Sequence, residues 1–99
     1  MSQANYIRDG RIVESAIARW GEFVDLSDGS VVRAIPNYIN EVREQPSGEV
    51  FQYNGWELVF RPDTALDNGK VITWREQNWI INLVTQQNTK KRALISKVA

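Results

Sequence analysis

Glu49-Val50-Phe51-Gln52-Tyr53-Asn54-Gly55-Trp56-Glu57-Leu58-Val59-Phe60-Arg61 is the stretch that decides the fold class of this chain. Two β-prone runs, Glu49 to Tyr53 and Trp56 to Arg61, flank Asn54-Gly55, the pair best suited to a two-residue type I′ turn. In the second run Trp56, Leu58 and Phe60 alternate with Glu57 and Val59, so the first three share one face of a strand. Toward the C-terminus the same pattern recurs. Val71 to Trp74 and Trp79 to Val84 read as a hairpin around Arg75 to Asn78, and Arg92 to Val98 as a last strand after the polar loop Gln86-Gln87-Asn88-Thr89. Between these hairpins, Pro62 to Gly69 is turn-rich, with room for a short helical turn.

Toward the N-terminus the first strand signal is Phe23 and Leu26. The turn Ser27-Asp28-Gly29-Ser30 then leads to Val32-Arg33-Ala34-Ile35, closed by Pro36. Before that the period changes to 3.6. Ile12, Val13, Ala16, Ile17 and Trp20 fall on one side of a helix over about 9–20, capped by Asp9 and stopped at Gly21. The stretch from Asn37 to Gly48, NYINEVREQPSG, has little apolar content and no sustained period. It reads as a long exposed loop, and a loop of that length is functional or disordered. Six or seven short strands in 99 residues cannot fill two flat sheets and pack a helix as well. The expected fold is therefore α+β, mainly β: one domain over 1–99, a small, partly closed antiparallel β-barrel with an N-terminal α-helix packed on it. Trp20, Trp56, Phe60, Trp74 and Trp79 are the expected core.

Composition narrows the chemistry. Cysteine and histidine are both absent, which removes disulfides, the usual zinc sites, thiol nucleophiles and Ser-His-Asp catalysis. Neither a secretory signal nor a run of about 20 apolar residues is present, which favours a cytoplasmic, non-membrane setting. The formal charge is zero, yet it is unevenly spread. There are five bases and nine acids up to Phe60, a net −4, and seven bases and three acids from Arg61 on, a net +4. On separate faces, such halves would attract copies or neighbours of opposite sign.

Three constellations bear on function. The Asn37–Gly48 loop offers Tyr38, Ile39, Val42, Arg43 and Glu44 to a partner against which it would order. Lys90, Lys91 and Arg92, with Trp74, Trp79 and Arg75 on neighbouring strands, supply the cations and flat rings that a single-stranded nucleic-acid surface needs. Asp63 with Asp67, and Asp25 with Asp28, are carboxylate pairs of the kind hydrolysis or cation binding requires, although Asp at turns more often serves the local backbone.

The order of elements resembles the head-tail joining (tail attachment) proteins of lambda-like bacteriophages. The resemblance lies in the helix with Ala16-Ile17-Ala18-Arg19, the early hairpin and the long loop, followed by Leu58-Val59-Phe60-Arg61. It continues through Leu66-Asp67-Asn68-Gly69-Lys70-Val71-Ile72-Thr73-Trp74 and Asn78-Trp79-Ile80-Ile81. The family places Asp after the turn glycine, where this chain has Lys70. The resemblance implies a virion structural protein, monomeric when free, that assembles as a ring at the neck between the DNA-filled head and the tail. Its partners would be portal or connector and tail proteins, and it would have no catalytic residue, metal or cofactor. The family's mobile loop, thought to order on assembly, maps to Asn37–Gly48. The alternative is a small β-barrel that binds single-stranded nucleic acid; a small hydrolase is third.

Overall fold

The computed structural model describes residues 13–44, 47–48 and 50–98, with side chains omitted at 41–44 and 50–54. A short helix, α1 (13–20), precedes six strands: β1 (Glu22–Asp25), β2 (Val31–Glu44), β3 (Val50–Phe60), β4 (Val71–Trp74), β5 (Gln77–Gln86) and β6 (Lys91–Lys97). They form a closed antiparallel barrel in the order β1-β2-β3-β6-β5-β4. The circle closes where Val24 pairs with Trp74 and Asp25 with Thr73. A six-stranded barrel is too narrow to hold anything but its own side chains. Val24, Ala34, Leu58, Phe60, Ile72, Trp74, Ile81, Ala93 and Ile95 fill it, as the alternation of Trp56, Leu58 and Phe60 predicts for β3.

Turn chemistry explains two of the connections. At Asp28-Gly29 the carboxylate of Asp28 accepts hydrogen bonds from the Ser30 amide (2.9 Å) and hydroxyl (2.6 Å), and Gly29 takes φ 89°. The helix end at Gly21 is a close approach. The Gly21 amide donates to the Ile17 carbonyl at 2.9 Å, and a Cβ built there would lie 2.4 Å from that oxygen, so no larger residue fits without moving α1. The helix lies against the outside of the sheet: Arg33 donates to the Ala18 carbonyl at 2.6 Å, and Glu14 pairs with Arg61 at 3.3 Å.

Several expectations change. The described part of Asn37–Gly48 is not one long loop. Its first part continues β2 without a break to Glu44, and the chain turns back at Ser47-Gly48 into β3. Asn54-Gly55 is not a turn either; both lie inside β3, Asn54 opposite Asn40 and Gly55 opposite Ile39. No helix forms over Pro62 to Gly69. Trp20, placed in the core by the helical stripe, is 66% exposed, because α1 buries Ile17 and ends at Trp20. Phe23 points outward at 64% exposure, and its neighbour Val24 takes the interior. Asp9 and the expected start of the helix lie outside the described residues.

Candidate functional site: a two-stranded ribbon on an aromatic root

Past Pro36 the second strand leaves the barrel. Pairing of β2 with β1 ends at Ala34, and two residues later Pro36 contributes no amide to a ladder. On the other side, pairing of β3 with β6 begins only at Trp56 opposite Ile95. Immediately before it is Gly55, a residue that lets a strand bend away from its neighbour. Between these points β2 and β3 pair with each other from Ile39–Gly55 to Glu44–Val50, which makes a protruding antiparallel ribbon.

At its base the ribbon stands on stacked rings. Tyr38 meets Trp56 edge-on at 5.2 Å, Trp56 meets Trp74 edge-on at 5.2 Å, and Trp74 meets Trp79 at 5.3 Å. Such edge-to-face pairs contribute about 0.5–1.5 kcal/mol beyond their buried area. Trp74 is enclosed at 1% exposure, whereas Tyr38 remains 59% exposed at the outer end of the row. The Trp79 indole N–H donates to the Trp74 carbonyl at 3.0 Å, which ties the row to β4.

A basic residue covers the row. Arg75 lies over Trp74 at 4.4 Å and over Trp56 at 5.1 Å, and its guanidinium makes two hydrogen bonds of 2.8 Å to Glu22. The Trp74 indole donates to the same carboxylate at 3.2 Å. The bonds from Arg75 are the main reason the Glu22 carboxyl is held below the usual carboxylate range; its partial burial opposes them, and the Arg75 charge and the Trp74 bond add to them. Arg75 and Glu76 form the β4–β5 turn with φ 53° and 62°, a left-handed pair that Asn-Gly normally supplies. The Glu22 contact holds this turn from outside.

The basic patch expected at Lys90-Lys91-Arg92 is largely occupied within the fold. Lys91 donates through Nζ to the Thr64 carbonyl. Arg92 grips Glu57 with two bonds of 2.8 Å, and Glu57 is only 4% exposed, although it sits on the outward side of β3. The structure does not bring Trp74 to the surface beside these cations. Of the loop residues, Tyr38 and Ile39 are brought to the ribbon's base, and Val42, Arg43 and Glu44 lie along β2 with side chains outside the described set.

The carboxylate pairs do not converge. Asp28 serves its own turn, and Asp63 faces Arg61 at 3.9 Å. Among the described residues no cluster of three His, Cys, Asp or Glu side chains forms, and no helix is long and apolar enough to cross a membrane. An open cleft of about 520 Å³ lies at the end of the barrel away from the ribbon, lined by Ile17, Leu26, Val32 and Ala65 with Glu14 and Arg61.

The barrel order explains the charge split. β1, β2 and β3 are consecutive around the barrel, and so are β6, β5 and β4, so the strands of the acidic half and those of the basic half occupy opposite sides. They are joined by Glu14–Arg61, Glu22–Arg75 and Glu57–Arg92, each pairing an acid of the first half with a base of the second. Setting those three pairs aside reduces the imbalance to −1 and +1. Part of the asymmetry is therefore taken up by contacts within the fold, of which only Glu57–Arg92 involves a buried carboxylate. Sequence reasoning places Trp56, Trp74 and Trp79 together in the core, as found, but misses Tyr38 at the end of the row, the Glu22–Arg75 contact over it and the two-residue turn. The chain matches no known family model, and no curated protein is similar to it.

Proposed function

We propose that the protein is a non-enzymatic structural component of a bacteriophage particle, part of the neck that joins the DNA-filled head to the tail. The observation that carries this reading is the β2–β3 ribbon. A chain of 99 residues extends its longest strands beyond its own core, where they have no barrel neighbour among the described residues. An arm of that kind is suited to binding other subunits and has no evident use in catalysis. The resemblance of the sequence to head-tail joining proteins supplies the setting, with a strand over 37–44 where that resemblance expects a loop. The partners are portal or connector and tail proteins together with further copies in a ring. The genome is met only as it passes, and the protein resides in the neck after assembly in the host cytoplasm. The nucleic-acid reading draws no support from Lys91 and Arg92, which are engaged by Thr64 and Glu57.

Removing the gene from its parent phage or prophage tests the proposal. Electron micrographs are expected to show filled heads and free tails that remain unjoined, with joining restored by the wild-type protein. Complete tailed particles in its absence would overturn the reading.

A further inference from the structure

We propose that the open cleft at the end of the barrel away from the ribbon is a strand-addition site, which takes an extended segment of a partner protein along the free edge of β2. The site is independent of the neck reading.

Backbone geometry carries the inference. Leu26 donates to the Ser30 carbonyl at 2.9 Å, so the hydrogen-bonded pairs of the β1–β2 ladder are Leu26–Ser30, Val24–Val32 and Glu22–Ala34. The main-chain groups of Val31 and Arg33 therefore point away from β1. On that side the β2–β3 register begins only at Ile35–Val59; continued, it would set Arg61 opposite Arg33 and Asp63 opposite Val31. It is not continued. Pro62 follows Arg61, and the Thr64 amide donates to the Arg61 carbonyl at 3.1 Å, a turn that carries the chain away from β2. The cleft of about 520 Å³ is the resulting gap, with Val31 and Arg33 on one wall and Arg61, Asp63 and Thr64 on the other. Among the described residues no backbone hydrogen bond reaches Val31 or Arg33 from this side.

The same walls define the occupant. An unpaired strand edge is completed by main chain in extended form, and the three residues from Val31 to Arg33 offer it about 10 Å. Val32 faces the barrel interior, so the residue opposite it in an added strand turns inward onto Ile17, Leu26 and Ala65 and is apolar. Its two neighbours turn outward beside Val31 and Arg33. Arg33 is exposed, held by the Ala18 carbonyl and lying over the Phe23 ring at 4.7 Å, and no acid pairs with it among the described residues. An acidic neighbour in the added strand meets that charge across the new ladder. The segment that fits is thus an extended one in which an apolar residue lies between acidic residues.

The test uses the full-length protein and a capped heptapeptide, Thr-Val-Asp-Leu-Asp-Val-Thr, with amide hydrogen exchange followed by NMR. In the free protein the Val31 and Arg33 amides are expected to exchange fast and the Val32 amide slowly. With the peptide at ten times its dissociation constant, exchange at Val31 and Arg33 should slow by about tenfold. A peptide N-methylated at its three central residues keeps the side chains but cannot lie against a strand edge, and should give no protection. Lysine in place of both aspartates should weaken binding on the order of tenfold, because like charges then meet at Arg33. Failure of the first peptide to protect the two amides would overturn the proposal. Equal binding of the N-methylated peptide would also overturn it, by showing an apolar cleft without strand addition, and equal binding of the lysine peptide would remove the acidic assignment. Slow exchange of both amides in the free protein would mean that the edge is already covered, by this chain or, where protection rises with protein concentration, by a second copy. None of these results alters the gene-deletion phenotype, so the neck reading stands or falls separately.

Discussion

The ribbon continues two of the six strands of the barrel, and the two regions are held by different physics. From Val31 to Ala34, β2 has β1 on one side, and from Trp56 to Phe60, β3 has β6 on one side. There Ala34, Leu58 and Phe60 are fully enclosed. From Ile39 to Glu44 and from Val50 to Gly55 the strands have each other and, among the described residues, no third neighbour. In the barrel, extended backbone accompanies the burial of alternate side chains. In the ribbon it accompanies the pairing of β2 with β3, and β2 stays extended there although its sequence shows no hydrophobic period.

That contrast can be broken or sharpened by substitution. The largest effect is expected in the barrel: Trp74→Ala should lose about 3–5 kcal/mol, because it empties an enclosed site and removes the centre of the aromatic row. For a domain of this size thermal melting should fall by roughly 15 °C or more. A loss under about 1 kcal/mol would mean that the interior is not packed as described.

Next is Arg92→Ala, expected to lose about 3 kcal/mol because it leaves the Glu57 carboxylate buried without its partner. The double variant E57A/R92A should unfold at higher denaturant than R92A alone, since no orphaned charge remains. Failure of that rescue would show that the pair acts through packing.

Glu22→Gln should cost about 1 kcal/mol or less, the contact being partly open to solvent. The sign with pH follows from the lowered pKa of Glu22. Its contribution is fully present above the usual carboxylate range and is lost as pH falls through the lowered folded value. Urea titrations of wild type and E22Q should therefore differ at neutral pH and converge in acid. The smallest effect on stability is expected in the ribbon: replacing 40–54 by an Asn-Gly turn should change stability by under about 1 kcal/mol. A large drop in melting temperature would show that the ribbon belongs to the folding core after all.

Legibility in the sequence follows the same division. Strands that line the barrel announce themselves by alternation: Trp56, Leu58 and Phe60 were readable, as were the β4–β5 and β1–β2 hairpins. The β2 half of the ribbon reads as a loop because NYINEVRE shows no sustained period, whereas its β3 half, Glu49 to Tyr53, reads as a strand. Asn54-Gly55 was read as a turn on local preference, which a ten-pair register with β2 overrides. The Arg75-Glu76 turn was drawn too wide, since two non-glycine residues at positive φ carry no local signal; the Glu22 contact that holds them comes from 53 residues away. Trp20 continued the apolar stripe of α1, but the helix ends there, and its last residue is free to face solvent. The expected partner-binding pair Tyr38 and Ile39 falls at the base of the ribbon, and in the Lys90–Arg92 patch Lys91 is engaged by Thr64 and Arg92 by Glu57, contacts between distant segments that leave no local signal in the sequence.

The closure between β1 and β4 has a kinetic consequence. It rests on Val24–Trp74, Asp25–Thr73 and the Glu22–Arg75 contact, which join segments about fifty residues apart, whereas the other ladders except β3–β6 link strands adjacent in the chain. Loop-closure entropy delays contacts of that span, so this seam is expected to form late, after the hairpins have zipped. A contact made after the transition state acts on the rate of opening and hardly on the rate of folding. In stopped-flow measurements E22Q should accordingly steepen nothing on the refolding limb and shift the unfolding limb upward, which makes the Glu22 carboxylate a determinant of how long each molecule stays folded.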